Sequence, residues 1–159
     1  MQSLITRAVP TGVCIVTVRA GERINGMTVA WATQVSFKPR LVAVSIAPPR
    51  FTYGLIKESG FFCINALPED AMDLAKHFGF KSGRKTDKFK GIRYENALHG
   101  SPVLKDAFAY LECELKDIFP AGDHEIFVGE VVDSGELLSE VKPLIFRWDD
   151  FFGKKQKGK

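Results

Sequence analysis

Short apolar runs rich in β-branched residues recur along this chain, and glycine, proline or a polar cluster closes most of them within a few positions. Gly12–Arg19 (GVCIVTVR) is the first. The polar segment Ala20–Asn25 reads as a hairpin turn, and a strand returns through Met27–Val35 before a loop at Phe37-Lys38-Pro39. Leu41–Ile46 (LVAVSI) is continuously apolar, as suits a buried central strand. Ala47-Pro48-Pro49-Arg50 ends it, because proline has no N–H to give a sheet ladder. Phe61–Ala66, Ala107–Phe119, Ile126–Ser134 and Leu144–Trp148 read as later strands. Gly129, inside IFVGEVVDS, points to a bulge or a close approach by another group. Two helices interrupt the strands. One covers Tyr53–Glu58, with Thr52 as N-cap and Gly60 at its end. The other starts at Pro68, with Glu69, Asp70 and Asp73 in its first turns and Gly79 at its end. Many strands without a strand–helix repeat argue against a doubly wound sheet. A compact antiparallel barrel with helices in its long connections fits instead, and rolling up removes exposed strand edges.

The 159 residues suit one domain, expected over 1–152, and 45% hydrophobic residues suffice for a core. The net charge of +3 does not point to nucleic acid. Lys154, Lys155, Lys157 and Lys159 crowd into the last six positions, so 153–159 reads as a disordered basic tail. Setting those four aside leaves 18 positive and 19 negative charges. Cys14, Cys63 and Cys113 each sit in a strand-like run without metal-ligand spacing, the pattern of reduced thiols in a cytoplasmic protein. A soluble chain is expected, because no secretory leader is read and no apolar run nears the roughly 20 residues that span a bilayer.

Familiar catalytic signatures do not occur in the sequence. There is no GxGxxG after a strand, no GxxxxGK[ST] and no GxSxG, and His77, His99 and His124 lack metal-ligand spacing. Four stretches remain. In Asn25–Ser36 (NGMTVAWATQVS), small and hydroxyl residues replace the bulk a packed strand would carry, so a flat group could approach the backbone. Taken alone it reads first as an ordinary half-buried strand with Trp31 in the core. In Ser45–Thr52 (SIAPPRFT), Arg50 beside a helix start offers a guanidinium and free N–H groups to a phosphate, or is simply a surface arginine. Lys81–Arg93 (KSGRKTDKFKGIR) carries six cations against Asp87, on a body left with 12 positive and 18 negative charges. It is either a solvated loop or a trap for a phosphorylated ligand. In Ala121–Glu130 (AGDHEIFVGE), His124 follows a glycine turn directly before a strand, where it can be structural or can orient a ligand.

Taken in order, PTGVCIVTV, NGMTVAWATQVSFKP, LVAVSIAPPRFTYGLIKESGFFCINAL, SGRKTDKF and GDHEIFVGEVVD resemble the flavin reductase-like family over roughly residues 8–134. That resemblance implies a mainly β fold, an FMN-binding split β-barrel with antiparallel, Greek-key-like strands and short flanking helices. It implies FMN, with FAD possible, as cofactor and NAD(P)H as cosubstrate. Met27, Thr28, Val29, Ala30 and Trp31 would line the isoalloxazine, Thr33 and Ser36 would reach the ribityl chain or phosphate, and Ile46 and Ala47 would lie near the ring. Arg50 and Thr52 would hold phosphate, while Ser82, Arg84 and Lys88 would add contacts to it or to the second nucleotide. His124 matches a histidine near the nicotinamide, and a homodimer is implied. Trp31 stands where flavin reductases of monooxygenase systems commonly carry a small residue, which is closer to the flavoredoxin-like branch. Two functions follow: hydride transfer from NAD(P)H to flavin, or electron transfer by a tightly held FMN that a protein donor reduces. A non-redox module using Lys81–Arg93 to bind an acidic partner is a third.

Overall fold

The computed structural model describes residues 1–153, so the basic tail from position 154 lies outside the described residues. The chain runs α1 (Gln2–Ala8), β1 (Cys14–Ala20), β2 (Arg23–Val29), β3 (Ala32–Ser36), β4 (Leu41–Ile46), α2 (Phe51–Ser59), β5 (Phe61–Ala66) and α3 (Met72–Gly79). It continues through β6 (Tyr94–Asn96), β7 (Pro102–Leu104), β8 (Ala109–Ala121), β9 (His124–Glu136) and α4 (Trp148–Phe152). Seven strands form one antiparallel sheet in the order β2-β1-β5-β8-β9-β4-β3. The expected mainly β, antiparallel architecture with short helices is therefore the one found.

The sheet has to roll up. β2 and β3 are its two end strands, yet only Ala30 and Trp31 separate them along the chain. Strands lie about 4.8 Å apart, so a flat sheet of this order would hold its ends roughly 29 Å apart. The step from Val29 to Ala32 spans about 11 Å at most. Curling brings the ends together, and no ladder joins β2 to β3, so the roll stays open at that seam. Inside it lie Val16, Val18, Val44, Ile46, Phe62 and Phe127, with Leu55 and Ile56 of α2 packed against them. A second cluster, on the other side of β1, joins Val13 and Ile15 to Ala75 and Phe78 of α3, Phe89, Leu104, Leu144 and Phe146. Burial on both sides explains why β1 reads as a continuous apolar run.

The structure corrects several boundaries. The turn expected over Ala20–Asn25 shrinks to Gly21-Glu22, with Gly21 at φ +62°, because β2 pairs residue by residue with β1 from Arg23 onward. Asn25 and Gly26 look like turn residues but are buried: Asn25 donates to Thr52 Oγ1 at 2.9 Å, and Phe78 packs against Gly26. The single strand expected over Met27–Val35 is two strands at opposite ends of the sheet. α2 begins at Phe51 with Arg50 at its N-cap position, so Thr52 lies inside the helix. Pro68 bridges Pro143 instead of starting a helix, and α3 starts at Met72. The strand expected at Leu144–Trp148 reduces to a bridge between Ile145 and Gly12, after which Trp148 opens α4. Leu41–Ile46 and Phe61–Ala66 form strands with the expected ends.

Gly129 marks a close approach: a Cβ there would sit 2.7 Å from both Cys113 Cβ and Phe62 Cζ. The three cysteines are unpaired. Burial pushes the thiols up, to about 11 for Cys14 and about 12 for Cys113, so they stay protonated. No helix among the described residues is long and apolar enough to cross a membrane.

Candidate functional site

The seam between β2 and β3 opens into a cavity of about 340 Å³. Its lining includes Met27, Thr28 and Val29 of β2 and the Ala30-Trp31 link, joined by Ser45 and Ala47 from the end of β4 and by His124 at the start of β9. These residues meet because the sheet curls: β2 and β4 sit near opposite ends of the strand order. Small side chains at Ala30, Ser45 and Ala47 leave room for a flat ring, and Trp31 stands half-exposed beside His124, with ring centroids 4.9 Å apart. His124 Nδ1 lies 2.7 Å from Asp123 Oδ1, which leaves Nε2 as the ring nitrogen available to a ligand. The pair holds the Asp123 carboxyl below its usual range.

A second, smaller hollow adjoins the cavity and shares Met27, Thr28, Arg50 and Gly79 with it. The rest of its lining includes Asn25, Thr52, Lys81, Gly83 and Lys88. This end is cationic. Among the described residues Arg50 has no carboxylate within ion-pair distance. Lys88 is buried, and its ammonium donates to Gly26 O at 2.8 Å and Phe78 O at 2.9 Å. Burial, and then the Arg50 charge, lower the Lys88 ammonium to about 8. The Thr52 hydroxyl is buried and accepts from Asn25 Nδ2.

Eight of the expected residues therefore line the ring cavity: Met27, Thr28, Val29, Ala30, Trp31, Ala47, Arg50 and His124. Thr52 and Lys88 line the cationic hollow. The other expected residues stand outside both. Thr33 lines a different hollow, with Val9, Pro10 and Ile126. Ser36 is at the far end of β3, opposite Leu41. Ile46 is in the core, and its neighbours Ser45 and Ala47 meet the cavity in its place. Ser82 Oγ accepts the Arg84 N–H at 3.3 Å, within the turn of the basic loop. Arg84 donates to Pro49 O at 2.9 Å and lies over the Phe51 ring, which ties the basic loop to the turn that carries Arg50.

Sequence reasoning missed the rest of the cavity's lining. Gln2, Ile5 and Thr6 come from α1, Phe80 follows α3, and Phe146, Trp148, Phe151 and Phe152 come from the region of α4. The aromatic crowding of FRWDDFF was the available signal, and it was absorbed into an expected strand. No group of three or more His, Cys, Asp and Glu side chains that could hold a metal occurs among the described residues.

Comparison with known proteins gives three kinds of likeness. The family described as "Flavin reductase like domain" matches residues 6–154. A high molecular weight rubredoxin of Moorella thermoacetica is 40% identical over 129 residues, which is 80% of this chain and 56% of that protein. The chain thus spans about half the length of the first curated relatives it matches. Among solved structures, an FMN-binding protein from Thermus thermophilus superposes with a TM-score of 0.83 at 35% identity, covering 89% of this chain and 83% of that one. The NADH:FAD oxidoreductase of Streptomyces globisporus C-1027 gives 0.80 at 29% identity, covering 87% and 82%.

Proposed function

The chain belongs to the flavin reductase-like family, and on that footing we propose that it binds FMN and transfers hydride from NAD(P)H to flavin. One observation carries the reading: the apolar ring cavity and the cationic hollow share Met27, Thr28, Arg50 and Gly79. A ligand with a flat conjugated ring at one end and a phosphate at the other spans both. The donor set fits a flavin nucleotide, with backbone and small side chains for the ring and Arg50 and Lys88 for the phosphate. Bound flavin supplies the redox chemistry, so the site needs no acid–base pair of its own.

The chain's own residues bind and orient. Met27–Trp31 and Ala47 place the ring. Arg50 offsets phosphate charge from the start of α2, while Thr52 and Lys88 act on that end through their buried hydrogen bonds to Asn25, Gly26 and Phe78. Arg84 holds the Pro49 turn in place, and Ser82 shapes the loop that presents Arg84. His124, fixed by Asp123, offers Nε2 to the nicotinamide amide. The working unit is the single domain 1–152. We place it in the cytoplasm, which its three unpaired cysteines support.

The test is a visible spectrum of the purified protein with FMN, followed by nicotinamide oxidation. Saturable FMN binding with turnover of NADH or NADPH is expected, and the absence of both rejects the proposal. Arg50→Ala should weaken FMN by roughly tenfold or more and leave riboflavin unchanged. The second reading, an electron-transfer protein with resident FMN, is favoured by Trp31, which stands half-exposed between the cavity and the outer surface. Flavin that survives desalting, together with slow reaction toward both nucleotides, would select it.

A further inference from the structure

Phe80 and Phe152 stand outside both cores and touch only the aromatic side chains of α4 and each other among the aromatic residues. Phe80 is 55% exposed and Phe152 is 56% exposed, and neither belongs to either core cluster. Trp148 and Phe151 differ, because both pack against the second core. Yet the chain brings Phe80, one residue past α3, to within 6.2 Å of Phe152, the last residue of α4, in an edge-on arrangement of 74°. Both line the ring cavity. Phe152 is further held by Trp148, at 4.3 Å between ring centroids.

Two exposed phenyl groups of distant origin, converging on one cavity, lack only a planar partner. Aromatic rings gain from edge-on and offset contact beyond the area they bury. Burying that area also returns the hydrophobic free energy that exposure forgoes. The phosphate hollow fixes which partner this is, since it opens from the same cavity through Arg50 and Gly79.

We propose that Phe80 and Phe152 are ring-positioning residues that pack on the isoalloxazine of bound FMN, an inference that rests on the flavin reading above. Trp148 and Phe151 tie α4 to the second core, which holds Phe152 at the cavity wall.

The experiment titrates native protein, Phe80→Ala, Phe152→Ala, the double variant and Phe152→Tyr with FMN and with riboflavin, reading flavin fluorescence and the visible circular dichroism of the bound ring. Each alanine variant is expected to weaken both ligands by the same factor, roughly three- to tenfold. It is also expected to reduce the dichroism, with a thermal midpoint near native. Phe152→Tyr should restore affinity and dichroism. This pattern differs from that of Arg50→Ala, which acts on FMN alone. Unchanged affinity and dichroism in the double variant, with native binding intact, overturns the inference and leaves the flavin reading standing. So does a large drop in thermal midpoint without a change in ligand affinity, which would make the pair structural. Failure of the native protein to bind either flavin overturns both.

Discussion

Lys88 is a cation buried beside the phosphate hollow. Its ammonium serves as a strut, joining Gly26 of β2 to Phe78 of α3 through two carbonyls beside the phosphate hollow. With its folded value lowered to about 8 from an ordinary 10.5, the unfolded chain keeps a proton between those values that the folded site has released. This group therefore favours folding more as pH rises through that window. A bound phosphate acts the other way by favouring the ammonium, so FMN affinity is expected to fall as pH rises through about 8. Titration by flavin fluorescence on either side of that pH checks it. Lys88→Met should bind more weakly throughout and lose this pH dependence. Its unpaired carbonyls should cost about 1–3 kcal/mol, read by urea unfolding. At this scale the positions of the expected residues were legible in part. The family resemblance points to Arg50 and Met27–Trp31, which line the cavity, whereas Asn25–Ser36 read alone is an ordinary half-buried strand. Phe80 and Phe152 carry no local signal, because their meaning lies in a meeting of distant segments.

The β8–β9 hairpin carries a buried acid that supports a distant loop. Glu112 is fully buried, and its carboxylate accepts the His99 N–H at 2.8 Å and the Ser101 N–H at 3.1 Å. It thereby holds the turn between β6 and β7 against the sheet. Glu112→Gln turns one accepting oxygen into a donor facing an N–H. It should lower stability by about 1–3 kcal/mol in urea unfolding while FMN affinity is unchanged, since Glu112 lines neither hollow. The sequence revealed elements well where a run is short and bounded. Proline and glycine end β4 and open β5, and both came out with the expected limits. It failed at Ala30-Trp31, where the chain changes sheet ends without glycine or proline to mark it. It failed again at Leu144–Trp148, where an apolar run serves the second core and then a helix.

Over the whole molecule, rolling leaves β3 as an end strand with exposed Val35, followed by Phe37, which is 88% exposed. Apolar side chains on an unpaired edge favour association. The homodimer that the family resemblance implies would seat its second copy on this face. Sedimentation should give a dimer for the native protein and a monomer for Val35→Lys combined with Phe37→Lys, while an unshifted dimer would place the contact elsewhere. The antiparallel, mainly β class was legible from strand count alone. The degree of curling was not, because it follows from strand order, which no local pattern encodes. The pairing of α1 with α4 near the cavity has a further consequence. The ring's surroundings draw on the earliest and the latest described elements, with the phosphate end in between. A truncation that removes either α1 or α4 therefore removes part of the ring's wall while leaving the phosphate end whole.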